Sequence, residues 1–191
     1  MTLVVGVALP DGGVWMGGDR IAGGFDYKEI ATSKIFQLAT EDEIPFLVGF
    51  AGSARVAQAV LAVHAGPRGS RSLHWWLTDY CDRVREGAVD RALLIDPRDG
   101  DEPHLAGGTA FVLGIDGHVL IVDHRLSWEE PTRGWQANGG ALETFNGAYE
   151  VLREKHKDPV DAARAAWPIV ARHHRIGPLV DELTIPARST A

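Results

Sequence analysis

The sequence contains one cysteine, Cys81, so no disulfide can close within the chain, and thiolate zinc sites lack their ligands. No apolar run approaches the ~18 residues that a membrane span requires. Basic clusters able to follow a phosphate backbone are also missing: 19 Lys and Arg against 26 Asp and Glu leave a net charge of −7 and a pI near 5.6. Neither nucleic acid nor membrane is expected as a partner. No Lys or Arg precedes the short apolar run that begins at Leu3, which argues against a secretory signal and predicts a mature N-terminus close to Met1. Together with the single cysteine, this points to a reducing cytoplasm. Gly17-Gly18 and Gly23-Gly24 lack the Lys-Ser/Thr and helix of a P-loop, and a calcium loop starting with Asp96 to Asp101 would have Arg98 at a ligand position and Gly107 where the bidentate Glu belongs. No metal or cofactor is expected. His173 and His174 are adjacent, so they point apart and read as a solvated helix end.

What is present suits one soluble domain over residues 1–191, with 45% hydrophobic and 24% charged residues. Leu3 to Leu9 and Val14 to Met16 flank turn residues 10–13 and predict a strand, a tight turn and a strand. A surface loop is expected from Gly17 to Thr32, followed by a hairpin of Ser33–Ala39 and Pro45–Ala51. Val56, Val60 and Val63 predict a helix capped by Ser53, and Leu73, Trp76, Leu77, Tyr80 and Val84 predict a second capped by Ser72. One of Trp75 and Trp76 must leave the buried face, which marks a possible subunit contact. Cys81, on the same helix, reads as a packed or half-exposed thiol. Asp96 to Gly108 reads as an exposed connection, and Asp116-Gly117 predicts a type I′ turn between Thr109–Ile115 and His118–His124. Helices are expected over Ala141–Lys155 and from Pro159, the latter kinked or shortened by Pro168, with a last strand at Leu179–Ile185. Segregated runs of strands and helices suggest α+β layers, not alternating βαβ units.

Thr2 is the first candidate for chemistry. Loss of Met1 would leave a free amine beside the threonine hydroxyl, a nucleophile carrying its own base, because an α-amino group titrates near ~7.7–8.0. By itself a threonine at position two is an ordinary chain start. Asp19, after the second strand, and Lys34, at the start of the third, can both flank that chain end. An ammonium there favours a deprotonated oxygen and lowers the amine pKa, while a carboxylate orients the ammonium. Taken singly, each is an ordinary surface ion.

Four segments in register then resemble the proteasome β-subunit and HslV peptidase family, the threonine-type N-terminal nucleophile hydrolases. They are Thr2-Leu-Val-Val-Gly-Val; Gly18-Asp19-Arg20 with Ser33-Lys34-Ile35-Phe36; Gly49-Phe50-Ala51-Gly52-Ser53-Ala54; and Asn138-Gly139-Gly140. The resemblance spans nearly the whole chain and is closer to the HslV-like branch. It implies an αββα sandwich, two antiparallel sheets covered by helices. It also implies Thr2 as nucleophile, Lys34 and Asp19 as its polar support, and the Gly52 N–H as oxyanion donor. Ala22, Gly23 and Ala54 would line a cleft that takes an extended peptide, with Phe50 affecting the depth of its side-chain pocket. A homo-oligomeric ring and an ATP-dependent unfoldase are implied as partners.

The chain departs from that family at two places. Asn138 stands where a serine usually bonds the nucleophile's amine, and His173-His174-Arg175-Ile176-Gly177-Pro178 offers no match for the acidic residue and serine of the proteasome branch. Two rival readings follow: a ring or scaffold subunit without catalysis, and an N-terminal nucleophile amidase or peptide ligase acting on a small substrate.

Overall fold

The computed structural model describes residues 2–22, 30–31, 33–95, 103–174, 176–179 and 181–188. An unbroken apolar run forms β1 (Leu3–Ala8), and the turn at 10–13 folds the chain back into β2 (Val14–Gly18). β3 (Ile21–Ala22) and β4 (Ile30–Ala31) make a two-residue ladder where a loop was expected. β5 (Ile35–Ala39) and β6 (Pro45–Ala51) form the predicted hairpin. α1 (Ala54–Leu61) stops short of Val63, and α2 (Leu73–Asp90) begins where Ser72 accepts the Trp75 N–H at 3.2 Å. Ser53 holds the N-cap position of α1, but its side chain makes no capping bond.

β7 (Leu94–Ile95) pairs with β8 (His104–Leu105), so the expected exposed connection instead returns to the core at Leu105, which is fully buried. Residues 96–102 of that connection lie outside the described part. A turn at Ala106–Gly108 leads into β9 (Ala110–Ile115), and β10 (His118–Val122) follows. Asp116 and Gly117 between them have φ of 51° and 79°, the pair of positive values that a type I′ turn requires. The sequence reading missed β11 (Trp128–Glu129) and β12 (Trp135–Gly139). α3 (Leu142–Arg153) and α4 (Pro159–His173) precede β13 (Asp181–Ile185). α4 runs through Pro168 without being cut short. Trp167 and Val170, on either side of the proline, are buried against the sheet and offset its missing N–H.

Two antiparallel sheets result, ordered β12-β1-β2-β13 and β11-β10-β9-β6-β5. The period of two along β1 assigns its residues to two different cores. Leu3, Val5 and Val7 join Phe145, Tyr149 and Trp167 of α3 and α4. Val4, on the other face, joins Met16, Leu47, Val112 and Val119, residues drawn from both sheets. A third cluster packs Phe46 and Phe111 of the five-stranded sheet against Trp76 and Tyr80 of α2, whose rings stack at 5.4 Å. Each such side chain contributes about 1.5–3 kcal/mol by leaving water. Trp76 is therefore inside, while Trp75 is 48% exposed with the Arg71 guanidinium 3.9 Å from its ring centroid. No helix among the described residues is long and apolar enough to cross a membrane.

Candidate active site

Thr2 leads into β1, an inner strand, and so stands at one end of the four-stranded sheet, next to the pairing of Leu3 with Gly139. Gly139 has φ of +122°, and a Cβ there would run into the Thr2 carbonyl, so only glycine lets β12 close against the start of β1. Asp19 leaves β2 at the same end and is clamped to the backbone of Leu3. Its N–H donates to the Leu3 carbonyl at 3.3 Å, and its Oδ1 accepts the Leu3 N–H at 3.1 Å.

Lys34 arrives from the other sheet. It precedes β5, and its carbonyl accepts the Phe50 N–H at 2.9 Å, fixing it to the end of β6. The Lys34 Nζ donates to Asp19 Oδ1 at 2.7 Å, with Asp19 fully buried and Lys34 7% exposed. Charges withdrawn from water in this way persist only when paired and further hydrogen-bonded. Asp19 meets the condition, because the Gly177 N–H donates to its Oδ2 at 3.3 Å in addition to the Leu3 N–H on Oδ1.

Gly52 follows β6 with φ of +130°, and a Cβ on it would lie 2.6 Å from both Cα and Oγ1 of Thr109. Conformation and space both demand glycine. The next residue is held by the same threonine: the Ser53 N–H donates to Thr109 Oγ1 at 2.9 Å, which explains why Ser53 is fixed without a side-chain cap.

These strand ends border a cleft of about 1160 Å³. Thr2, Lys34, Gly52 and Asn138 lie along it. Ala54, Ala57 and Leu61, spaced to share one face of α1, supply an apolar wall with Phe36 and Phe50. Of the residues expected from sequence, Thr2, Lys34, Gly52, Ala54 and Asn138 thus meet at one cleft, with Asp19 bonded to Lys34. Ala22 lies in β3, and Gly23 is outside the described residues. The Asn138 Nδ2 donates to the Ala110 carbonyl at 2.9 Å, linking β12 to β9. His174 is not simply solvated, since its Nε2 lies 2.6 Å from Thr144 Oγ1. The segment after it reaches the site through a backbone amide, that of Gly177, whose carbonyl accepts the Trp167 Nε1–H at 3.0 Å.

Sequence reading missed Thr109 and Gly177. Gly177 acts through its main chain and leaves no side-chain signal, while Thr109 read only as the first residue of a strand. Chemically, a buried ammonium held by one carboxylate, with a hydroxyl-bearing residue on the same cleft, suits stabilisation of a developing negative charge.

A second ion pair lies one residue along from the first. Arg20 Nε donates to Asp181 Oδ1 at 2.7 Å. Burial works to raise the Asp181 carboxyl, but hydrogen bonding from Arg20 and Ser33 together with the Arg20 charge outweighs that and holds it below the ordinary carboxylate value. Cys81 is buried away from the cleft, and that burial pushes its thiol up to about 12, which leaves it unreactive at neutral pH. The described residues contain no group of three or more His, Cys, Asp or Glu able to hold a metal ion.

No protein-family model and no curated protein matches the sequence. Solved structures do match. Eukaryotic HslV from Trypanosoma brucei superposes with a TM-score of 0.65 at 17% identity, over 97% of this chain and 99% of that one. Thiobacillus denitrificans BPH in complex with epoxomicin gives 0.66 at 16%, over 97% and 100%. The helical assembly of the Anbu complex from Pseudomonas aeruginosa gives 0.69 at 14%, over 97% and 81%. At such identities the likeness is one of fold: this chain has the mixed α/β architecture of the HslV and proteasome-like N-terminal nucleophile hydrolases.

Proposed function

We propose that this chain is a threonine-type endopeptidase of a proteasome- or HslV-like complex, hydrolysing peptide bonds of unfolded polypeptides through Thr2. The observation that carries the reading is the buried Lys34–Asp19 pair, bonded to the backbone of Leu3 and bordering the same cleft as Thr2. Loss of Met1 frees the Thr2 amine. That amine takes the hydroxyl proton, directly or through a water, as Oγ attacks the substrate carbonyl carbon. Lys34 favours the negative oxygen and lowers the amine pKa, and Asp19 orients Lys34. The Gly52 N–H receives the oxyanion. The C–N bond then breaks, the ammonium proton goes to the leaving amine, and a water hydrolyses the Thr2 ester. Asn138, on the same cleft as Thr2, ties β12 to β9 through the Ala110 carbonyl. An extended substrate lies along Ala22, Gly23 and Ala54 as an added strand. A cleft of about 1160 Å³ suits a stretch of polypeptide better than a small amide, given that small-molecule pockets span ~300–1,000 Å³.

The same reading extends to architecture and assembly. Three apolar clusters support four layers in the order α1 and α2, five-stranded sheet, four-stranded sheet, α3 and α4, an αββα sandwich. The Anbu complex, which shares the fold, forms a helical assembly, in keeping with self-association of this chain, which in this reading closes into a homo-oligomeric ring. A cytoplasmic ring of this kind would receive substrate from an ATP-dependent unfoldase.

One observation favours a second reading, a ring subunit without catalysis: the Asn138 amide is engaged by the Ala110 carbonyl. Intact mass before and after a peptide epoxyketone separates the two, since this reagent closes onto a free threonine hydroxyl and amine together. BPH of the same fold binds epoxomicin, which makes this class the natural probe. Loss of Met1 and a single adduct, absent in Thr2→Ala, is the expected result. Retained Met1 or no adduct selects the silent subunit.

A further inference from the structure

Thr109 is fully buried at the edge of the cleft, yet no substrate-facing role falls to it. Its hydroxyl is used twice, and both bonds have one sense only. Oγ1 donates its proton to the Ala106 carbonyl at 2.9 Å and with a lone pair accepts the Ser53 N–H, also at 2.9 Å. The first bond fixes the hydroxyl rotor within its own turn, and the second carries that fixed position across to the turn between β6 and α1. Gly52 is wedged in the same contact, since a Cβ there would meet the Thr109 Cα, Oγ1 and Cβ all within 2.9 Å. The turn at Ala106–Gly108 closes the arrangement from the other side: a Cβ on Gly107 would lie 3.2 Å from the Ser53 Cβ.

We infer that Thr109 is a positioning residue, which sets the direction of the Gly52 amide by holding the peptide that follows it. The inference rests on the Gly52 N–H being the oxyanion donor. An amide dipole stabilises a developing oxyanion only while it is already aimed at the oxygen. A residue with φ of +130° and no side chain does not hold its own orientation, so the alignment comes from its neighbours. Taking the Ser53 N–H out of play also leaves one amide of the turn, not two, for the oxyanion. A serine at position 109 keeps both hydrogen bonds. A valine keeps the shape and loses both, leaving the Ser53 N–H and the Ala106 carbonyl unpaired.

The test compares wild type, Thr109→Val and Thr109→Ser in the assembled protein. The readouts are turnover of a short fluorogenic peptide, inhibition by a peptide aldehyde whose hemiacetal oxygen mimics the oxyanion, and exchange protection of the Ser53 amide. Thr109→Val is expected to lower kcat by about 10²-fold with KM nearly unchanged, the scale of a misplaced catalytic group. The aldehyde inhibition constant should rise in parallel, Ser53 protection should fall, and Thr109→Ser should restore all three. A purely structural role would change stability and leave the aldehyde constant tracking KM. A Thr109→Val protein as active as wild type, or one whose loss is not repaired in the folded Thr109→Ser protein, overturns the inference while the reading of Thr2 stands. A wild type that forms no Thr2-dependent epoxyketone adduct overturns both.

Discussion

Two ion pairs grow from consecutive residues at the end of β2 and meet opposite fates. Asp19 and Lys34 pair inside, with side chains 0% and 8% exposed; Arg20, the next residue on, pairs with Asp181 on a flank where its side chain is 48% exposed. Composition does not distinguish them, since each is one carboxylate with one cation. Surroundings do. The inner carboxylate receives backbone amides from Leu3 and Gly177, and its partner cation borders the cleft, so its field acts across a poorly screened space. The outer pair buries its carboxylate but leaves the Arg20 cation half in water, which attenuates it. The difference comes from which elements, β5 and β13, bring partners to two consecutive residues after β2, not from which residue types they are.

Breaking the inner pair should have the largest effect. Lys34→Ala leaves Asp19 charged and buried without its cation, facing the Leu3 and Gly177 amides among the described residues. A loss of about 3–5 kcal/mol of stability is expected, measured by denaturant unfolding, together with loss of epoxyketone labelling at Thr2. The double replacement Asp19→Asn with Lys34→Met sharpens the contrast. Removing both charges should return most of that stability, because no buried charge is left alone, while labelling stays absent. Stability and reactivity would then separate at the inner pair.

The outer pair should give the smallest effect. Arg20→Ala is expected to lower Tm by no more than about 2 °C near pH 7 and to leave Thr2 labelling unchanged. The sign of its pH dependence follows from Asp181. A carboxyl held below its ordinary value contributes stability that is fully present above the unfolded pKa of about 3.9 and is lost as pH falls through the folded value. The deficit of Arg20→Ala should therefore shrink as pH drops below the carboxylate range, as thermal melts across pH would read.

Legibility in the sequence varied with the kind of signal each element carries. Asp116-Gly117 between apolar runs states its turn type outright, and the spacing of Trp76, Tyr80 and Val84 states a helix and its buried face. β12 was passed over because Trp-Gln-Ala-Asn-Gly is short and poor in β-branched residues. It is a strand through its pairing with β1, a non-local cause. Pro168 does not shorten α4, for a related reason: the burial of Trp167 and Val170 outweighs a local penalty. At the cleft, Thr2 and Lys34 were singled out from residue type and order, and Gly52 through the family resemblance. Thr109 and Gly177 were not, because their contributions lie in a fixed hydroxyl rotor and a main-chain amide that only the folded backbone brings into reach.

The strand order of the smaller sheet also has a consequence in time. β1 carries Thr2 to the site, but its neighbours are β2 and β12, and beyond β2 lies β13 at residues 181–185. During synthesis the first strand and its hairpin partner emerge early, with neither outer neighbour yet made. The loop that delivers Gly177 to Asp19 also belongs to the last stretch of chain. Pairings so distant along the sequence form late in folding. A nascent chain of this protein thus remains without an assembled cleft until β13, at residues 181–185, has left the ribosome.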